Sequence, residues 1–199
     1  MSYYFIGIGG AGMSVVAELL LAEGETISGS DARASDVTKY LAGLGVTVFI
    51  GQDSANVPDD AIVVISSAIR ESNPELAISR MRGQQILHRS QALALAANGR
   101  DFVAVAGAHG KTTTSAMLAT AIRTMGGDPS WAIGGHVTGV GAGGHLGRTL
   151  QYRLRCNGCS PDFCFIHNKT GQKIAVYLWC NLLYVGNYLC NFLCLYLLL

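Results

Sequence analysis

Two glycine-rich loops, each joining an apolar run to a helix-like stretch, constrain this chain more than any other feature. GIGGAG (residues 7–12) follows the short apolar run Tyr3–Ile8 and leads into Ala11–Ala22, which is apolar on most sides. GAHGKTTT (107–114) follows Phe102–Ala106 and opens a helix-like stretch reaching about Met125. A strand turned tightly into a helix, with both partners largely apolar, fits a parallel sheet covered by helices.

The residues between the loops continue the alternation. Strands are expected at Thr26–Ser30, ending at Asp31, and at Val46–Ile50, Ala61–Ser66 and Ile86–His88. Helices are expected at Val37–Ala42, from Asn73-Pro74-Glu75 to Gly83, and at Gln91–Ala97; Asn is a natural cap, Pro fits the first helical position and Gly stops the helix. The expected fold class is therefore α/β. A Rossmann-like parallel sheet domain over 1–97 precedes the start of a P-loop-type ATP-binding α/β domain over 98–147, with the boundary near Asn98–Arg100. Residues 148–199 read as a divergent, hydrophobic, Cys-rich tail and not as a native domain.

Composition narrows the partners. A formal net charge of +1 over 199 residues argues against general affinity for nucleic acid or anionic membranes, leaving small molecules. All six cysteines lie between Cys156 and Cys194, and no basic-then-apolar signal opens the chain, so a cytoplasmic protein is expected.

In the first loop, Gly7-x-Gly9-x-x-Gly12 follows a strand and opens a helix, and Asp31 stands some twenty residues on at the end of the next strand. A nucleotide diphosphate at the helix N-terminus and a carboxylate for its ribose fit this spacing; the plainer alternative is a βα turn that needs glycine for packing. NAD, FAD and a UDP-sugar all remain open.

The second loop departs from the usual G-x-x-x-x-G-K-[ST] pattern, because the residue six before Lys111 is Val105 and the upstream glycine is Gly107. Gly107, Ala108, His109 and Gly110 form the turn, and Lys111 with Thr112, Thr113 and Thr114 opens the helix, so that amides, an ammonium and a hydroxyl converge on one point, a set suited to a triphosphate with Mg²⁺. The alternative is a glycine turn followed by exposed Lys and Thr.

YFIGIGGAGMS (4–14), SGSD (28–31), SSAI (66–69), NPEL (73–76), AVAGAHGKTTT (104–114) and DPSWAIGG (128–135), in this order, resemble the N-terminal part of the Mur ligases of peptidoglycan synthesis over about residues 3–147. GIGGAGM is more similar to the alanine-adding member than to the later amino-acid-adding ones; the murein-peptide recycling ligase stays open. The resemblance implies ligation of L-alanine to UDP-N-acetylmuramate with ATP and Mg²⁺ through an acyl phosphate. It assigns Lys111 and Thr112 to catalysis, Thr112 to Mg²⁺, and 107–113 to ATP. Gly7, Gly9, Gly10, Ala11, Gly12, Met13, Asp31, Ser66, Ser67 and Ala68 fall to the UDP substrate, and His109 to shaping the loop.

The similarity stops near Gly147-Arg148. The family continues there into an acidic stretch and further domains, so the chain is expected to be truncated, with an out-of-frame tail, and inactive alone. Ile174–Leu199 carries no charge and is long enough to span a bilayer of about 30 Å, but Asn181, Asn187 and Asn191 interrupt it. Membrane contact is expected only through this tail. A rival from another class is a membrane-tethered, non-catalytic dinucleotide sensor, which leaves GAHGKTTT unexplained. Cys156, Cys159, Cys164 and His167 have zinc-ligand chemistry but no standard spacing. His88, His136 and His145 read as ordinary polar residues, Trp131 as packing, and Arg70 and Arg89 as solvated or phosphate-touching.

Overall fold

The computed structural model describes residues 1–97, 102–106, 109–134 and 143–147, and the strand residues 163–167, 173–178 and 195–198. It divides into two compact units, Met1–Asn98 and Gly99–Leu199.

The first unit runs β1 (Ser2–Ile6), α1 (Ala11–Ala22), β2 (Thr26–Asp31), α2 (Asp36–Gly43), β3 (Thr47–Ile50), β4 (Ile62–Ile65), α3 (Pro74–Met81), β5 (Ile86–His88) and α4 (Arg89–Ala96). Its five strands are all parallel, in the order β3-β2-β1-β4-β5. Strand β1 lies at the centre, and Tyr4, Phe5 and Ile6 are completely buried, as expected for a strand covered on both faces. One cluster of the core joins Tyr4 and Ile6 to Val57, Ala61, Val63 and Leu76. Gly29 in β2 has a packing reason: a methyl there would meet the Phe5 carbonyl oxygen at 2.5 Å.

Local signals set the element ends. Gly7 has φ +79°, which turns the chain out of β1 two residues earlier than the apolar run suggests. Helix α2 begins one residue early because Ser35 and Thr38 form a reciprocal capping box. Helix α3 is capped by the Asn73 side chain, carries Pro74 in its first turn and is followed by Gly83 at φ +66°. Helix α4 starts at Arg89, two residues before its expected start, since the His88 ring accepts from the Ser90 amide. A short 3₁₀ turn, Ser54–Asn56, capped by Asp53, was not anticipated.

This strand order makes the chain leave β1 in one direction and β4 in the other. The loops after the C-terminal ends of β1 and β4 therefore border the switch point, where ligands bind in open α/β sheets.

The second unit comprises β6 (Phe102–Ala106), α5 (Lys111–Thr124), β7 (Ser130–Ala132), β8 (Gly144–His145), β9 (Phe163–His167), β10 (Lys173–Leu178) and β11 (Leu195–Leu198). They form one mixed sheet in the order β8-β7-β11-β6-β10-β9. Strand β6 pairs in parallel with β10 and antiparallel with β11, so strands from the segment read as a tail flank the one that enters the second glycine loop. Val103, Ala119, Ile122, Trp131 and Ile133 form a buried cluster.

Candidate phosphate-binding loops

The first loop is best understood by asking where its amides go. The amides of Gly7 and Ile8 both donate to the carbonyl oxygen of Ser30, at 2.8 and 2.9 Å. The Gly9 amide donates to Asp31 Oδ2 at 2.9 Å, and the Gly10 amide turns back to the Gly7 carbonyl at 3.2 Å. Met13 and Ser14 then donate to the Gly10 carbonyl, beginning the regular ladder of α1. The amides of Ala11 and Gly12 remain, with no partner among the described residues. They point along the axis at the start of α1, which has no side-chain cap and no acidic residue in its first turn.

Side chains close this turn on three sides. Asp31 holds the Gly9 amide with one oxygen and the Arg33 amide with the other, so the acid expected at a ribose also ties β2 to the loop. A methyl on Gly9 would lie 2.8 Å from Asp31 Oδ2 and 3.0 Å from Thr38 Cγ2, leaving no room for a larger residue. The turn after β4 holds Ser66, Ser67 and Ala68, and the Ile69 amide bonds the Ser66 carbonyl at 3.1 Å. Ile69 Cδ1 is 3.5 Å from where a Gly7 methyl would stand, so this turn borders the loop. Met13 has only 2 % of its surface exposed and packs in the core beneath the helix start.

Arg89 adds a cation. It is the first residue of α4, and its side chain crosses the first turn of α1: a methyl on Gly12 would stand 2.7 Å from Nη1 and 3.1 Å from Cζ. Among the described residues no acid or carbonyl pairs with this guanidinium. Arg70 is exposed in the turn before α3.

Sequence reasoning missed the support behind the loop. Glu75 is completely buried, and its carboxylate accepts from Tyr4 Oη at 2.7 Å, Ser30 Oγ at 2.5 Å and the Asp53 amide at 3.3 Å. Burial first, then the hydrogen bond to Glu75, pushes the Tyr4 phenol far above its ordinary value, so it stays a donor. The signal was present in the NPEL stretch, as an acid in the first turn of α3 on the side where Leu76 and Ser79 are also buried.

In the second loop Gly107 and Ala108 lie outside the described residues. His109 and Gly110 are exposed, and Gly110 caps α5 at φ +81°, a left-handed conformation that suits glycine. Helix α5 has no side-chain cap, Lys111 is partly buried at its first position, and Thr112 and Thr113 are exposed, with no hydroxyl partner among the described residues. An uncapped helix start beside a lysine and free hydroxyls is compatible with phosphate and Mg²⁺.

His145, read as an ordinary polar residue without an acidic neighbour in sequence, has a partner in space. Its Nε2 lies 2.8 Å from Asp128 Oδ1 and its ring stacks on Trp131 with centroids 4.1 Å apart. His136 lies outside the described residues, as do Cys156 and Cys159. No group of three or more metal-ligating side chains occurs among the described residues, and no helix among them is long and apolar enough to cross a membrane.

Known proteins resemble this chain in sequence and in fold. Residues 2–101 match the family described as Mur ligase family, catalytic domain. The UDP-N-acetylmuramate–L-alanine ligase of Bifidobacterium longum subsp. infantis is 52% identical over 149 residues, covering 73% of this chain and 29% of the relative. The ligase of the same name from Kineococcus radiotolerans is 50% identical over 144 residues, covering 71% and 31%. The chain thus spans under a third of the length of these relatives. Among solved structures, the UDP-N-acetylmuramate-alanine ligase of Thermotoga maritima matches with a TM-score of 0.68 at 27% identity, covering 88% of this chain and 36% of that one. The UDP-N-acetylmuramate:L-alanyl-γ-D-glutamyl-meso-diaminopimelate ligase from Neisseria meningitides matches at 0.69 and 30%, covering 80% and 50%. A family match over half of its residues, on a five-stranded parallel sheet with its glycine loop at the switch point, means that this chain belongs to the Mur ligase family.

Proposed function

We propose that the chain carries the UDP-substrate and phosphate-binding parts of a cytoplasmic, ATP-dependent ligase that joins L-alanine to UDP-N-acetylmuramate for peptidoglycan. Residues 1–97 serve as the UDP-substrate domain and 98–147 as part of the ATP domain. The observation that supports this is the amide accounting at residues 7–12. With Gly7, Ile8 and Gly9 bonded to β2, the two free amides of Ala11 and Gly12 and the adjacent Arg89 guanidinium present three or more donors to one anion, as a diphosphate requires. Asp31 and the 66–68 turn border the nucleoside side of the same loop.

In the second loop, Lys111 balances charge on the terminal phosphates and Thr112 offers its hydroxyl to Mg²⁺, while the amides from Gly107 to Thr113 hold the phosphates in place. The chemistry that ATP supplies is activation of the substrate's lactyl carboxylate as an acyl phosphate, which the amine of L-alanine opens with loss of phosphate. The residues of this loop contribute positioning and electrostatic stabilisation and exchange no proton themselves.

Titration calorimetry tests the reading. UDP-N-acetylmuramate should bind the chain and NAD should not, and Lys111→Ala should abolish binding of Mg·ATP while leaving the UDP-sugar affinity intact. NAD binding tighter than the UDP-sugar would overturn the assignment.

A further inference from the structure

We propose that Glu75, the acid of the NPEL stretch, is a positioning residue for the first glycine loop, acting through Ser30; its bearing on affinity rests on the reading of that loop as the diphosphate site. A wholly buried carboxylate is costly to desolvate, and an apolar side chain of similar volume would serve a core as well or better. Capping α3 does not require burial either, because Asn73 Oδ1 already takes the Glu75 and Leu76 amides at 2.9 and 3.1 Å. What the carboxylate alone does is gather three elements: Tyr4 from β1, Ser30 from β2 and the Asp53 amide from the turn beyond β3.

Ser30 is where this matters. Its hydroxyl is held by Glu75 Oε2 while its carbonyl receives the Gly7 and Ile8 amides, and the next residue, Asp31, receives the Gly9 amide. Two consecutive residues at the end of β2 thus fix three consecutive amides of the loop, and Glu75 clamps the first of those residues from behind. Because these amides are spent on β2, the Ala11 and Gly12 amides are the ones left outward. Loosening Ser30 should let the loop amides exchange partners and blur that arrangement.

The test uses the full chain and two readouts. Amide hydrogen exchange at Gly7, Ile8 and Gly9 reports loop position without ligand, and calorimetric titration with UDP-N-acetylmuramate reports its consequence. Ser30→Ala and Glu75→Ala should each speed exchange at these amides by about tenfold or more relative to the rest of β1, and weaken binding by about tenfold, the range of a lost charge-assisted hydrogen bond. Glu75→Gln should restore both: its amide oxygen accepts from Tyr4, and its NH₂ donates to the Ser30 hydroxyl, which can reverse roles. Leu76→Ala, a core truncation on the same helix, should lower the thermal midpoint without singling out these amides. If Glu75→Ala does not fold, Ser30→Ala decides. Unchanged exchange in Ser30→Ala, an equal loop-specific change in Leu76→Ala, or altered exchange with unaltered affinity overturns the proposal. If the unmodified chain does not bind the UDP-sugar while exchange responds as expected, positioning stands and the substrate assignment falls.

Discussion

Replacing Gly12 by alanine should separate stability from binding. Gly12 lies within α1 without a positive φ, so alanine suits its backbone and should gain up to about 1 kcal/mol from helix propensity. The new methyl would stand 2.7 Å from Arg89 Nη1, 3.1 Å from Cζ and 3.2 Å from Cδ, all on one flexible side chain that can swing aside. The contrast is Gly29, where the obstacle is the Phe5 carbonyl at 2.5 Å in the central strand, and overpacking costs about 1–3 kcal/mol. For Gly12→Ala the cost appears instead at the ligand. Displacing the guanidinium removes a charge-assisted hydrogen bond of about 1.5–3 kcal/mol, a 10- to 150-fold rise in Kd. Thermal melting and calorimetry on Gly12→Ala, Arg89→Ala and the double variant measure this. The midpoint should stay level or rise slightly in Gly12→Ala, and the binding losses should be non-additive, since both changes remove the same group. Wild-type affinity in Gly12→Ala, or losses that simply add, would refute the assignment of Arg89 to the anion.

Other outcomes follow from the same geometry. The Tyr3, Tyr4 and Tyr40 phenols are all raised, chiefly by burial, so their contribution to stability is intact below the unfolded value of about 10 and lost as pH rises further; denaturant melts should weaken above pH 10, less steeply in Tyr4→Phe. Asp31→Ala should cost about 1–2 kcal/mol by urea denaturation and speed exchange of the Gly9 and Arg33 amides. Gly147→Ala should destabilise the second unit by about 3 kcal/mol, because its methyl would overlap the Asp128 carbonyl at 2.0 Å; a thermal melt followed by Trp131 fluorescence reads this, and an unchanged midpoint contradicts it.

Legibility in the sequence followed the range of the interactions. Strands β1 and β4 could be read because central parallel strands are buried on both faces and appear as apolar runs. The Asn73-Pro74 start of α3 was equally plain, being encoded within four residues. The glycine fingerprint marked the loop but not its amide partners, since Ser30 and Asp31 receive them from an adjacent strand. Glu75 reaches Ser30 across 45 positions, and Arg89 crosses Gly12 from a different helix, contacts that no local period encodes. His145 was set aside for want of a near acid, although Asp128 is 17 positions away on the other side of β7. The segment beyond Gly147 was read as a divergent tail, yet three of its short stretches pair in the second sheet.

Anchoring Gly7, Ile8 and Gly9 to β2 also bears on the rate at which the first loop can capture an anion. On the reading of this loop as the diphosphate site, bonds that already hold three of its amides reduce the ordering left for ligand binding to impose. Association on that reading should follow diffusion and electrostatic attraction, rising as ionic strength falls because the Arg89 guanidinium lies against the first turn of α1, while discrimination among anions should reside in how long each stays.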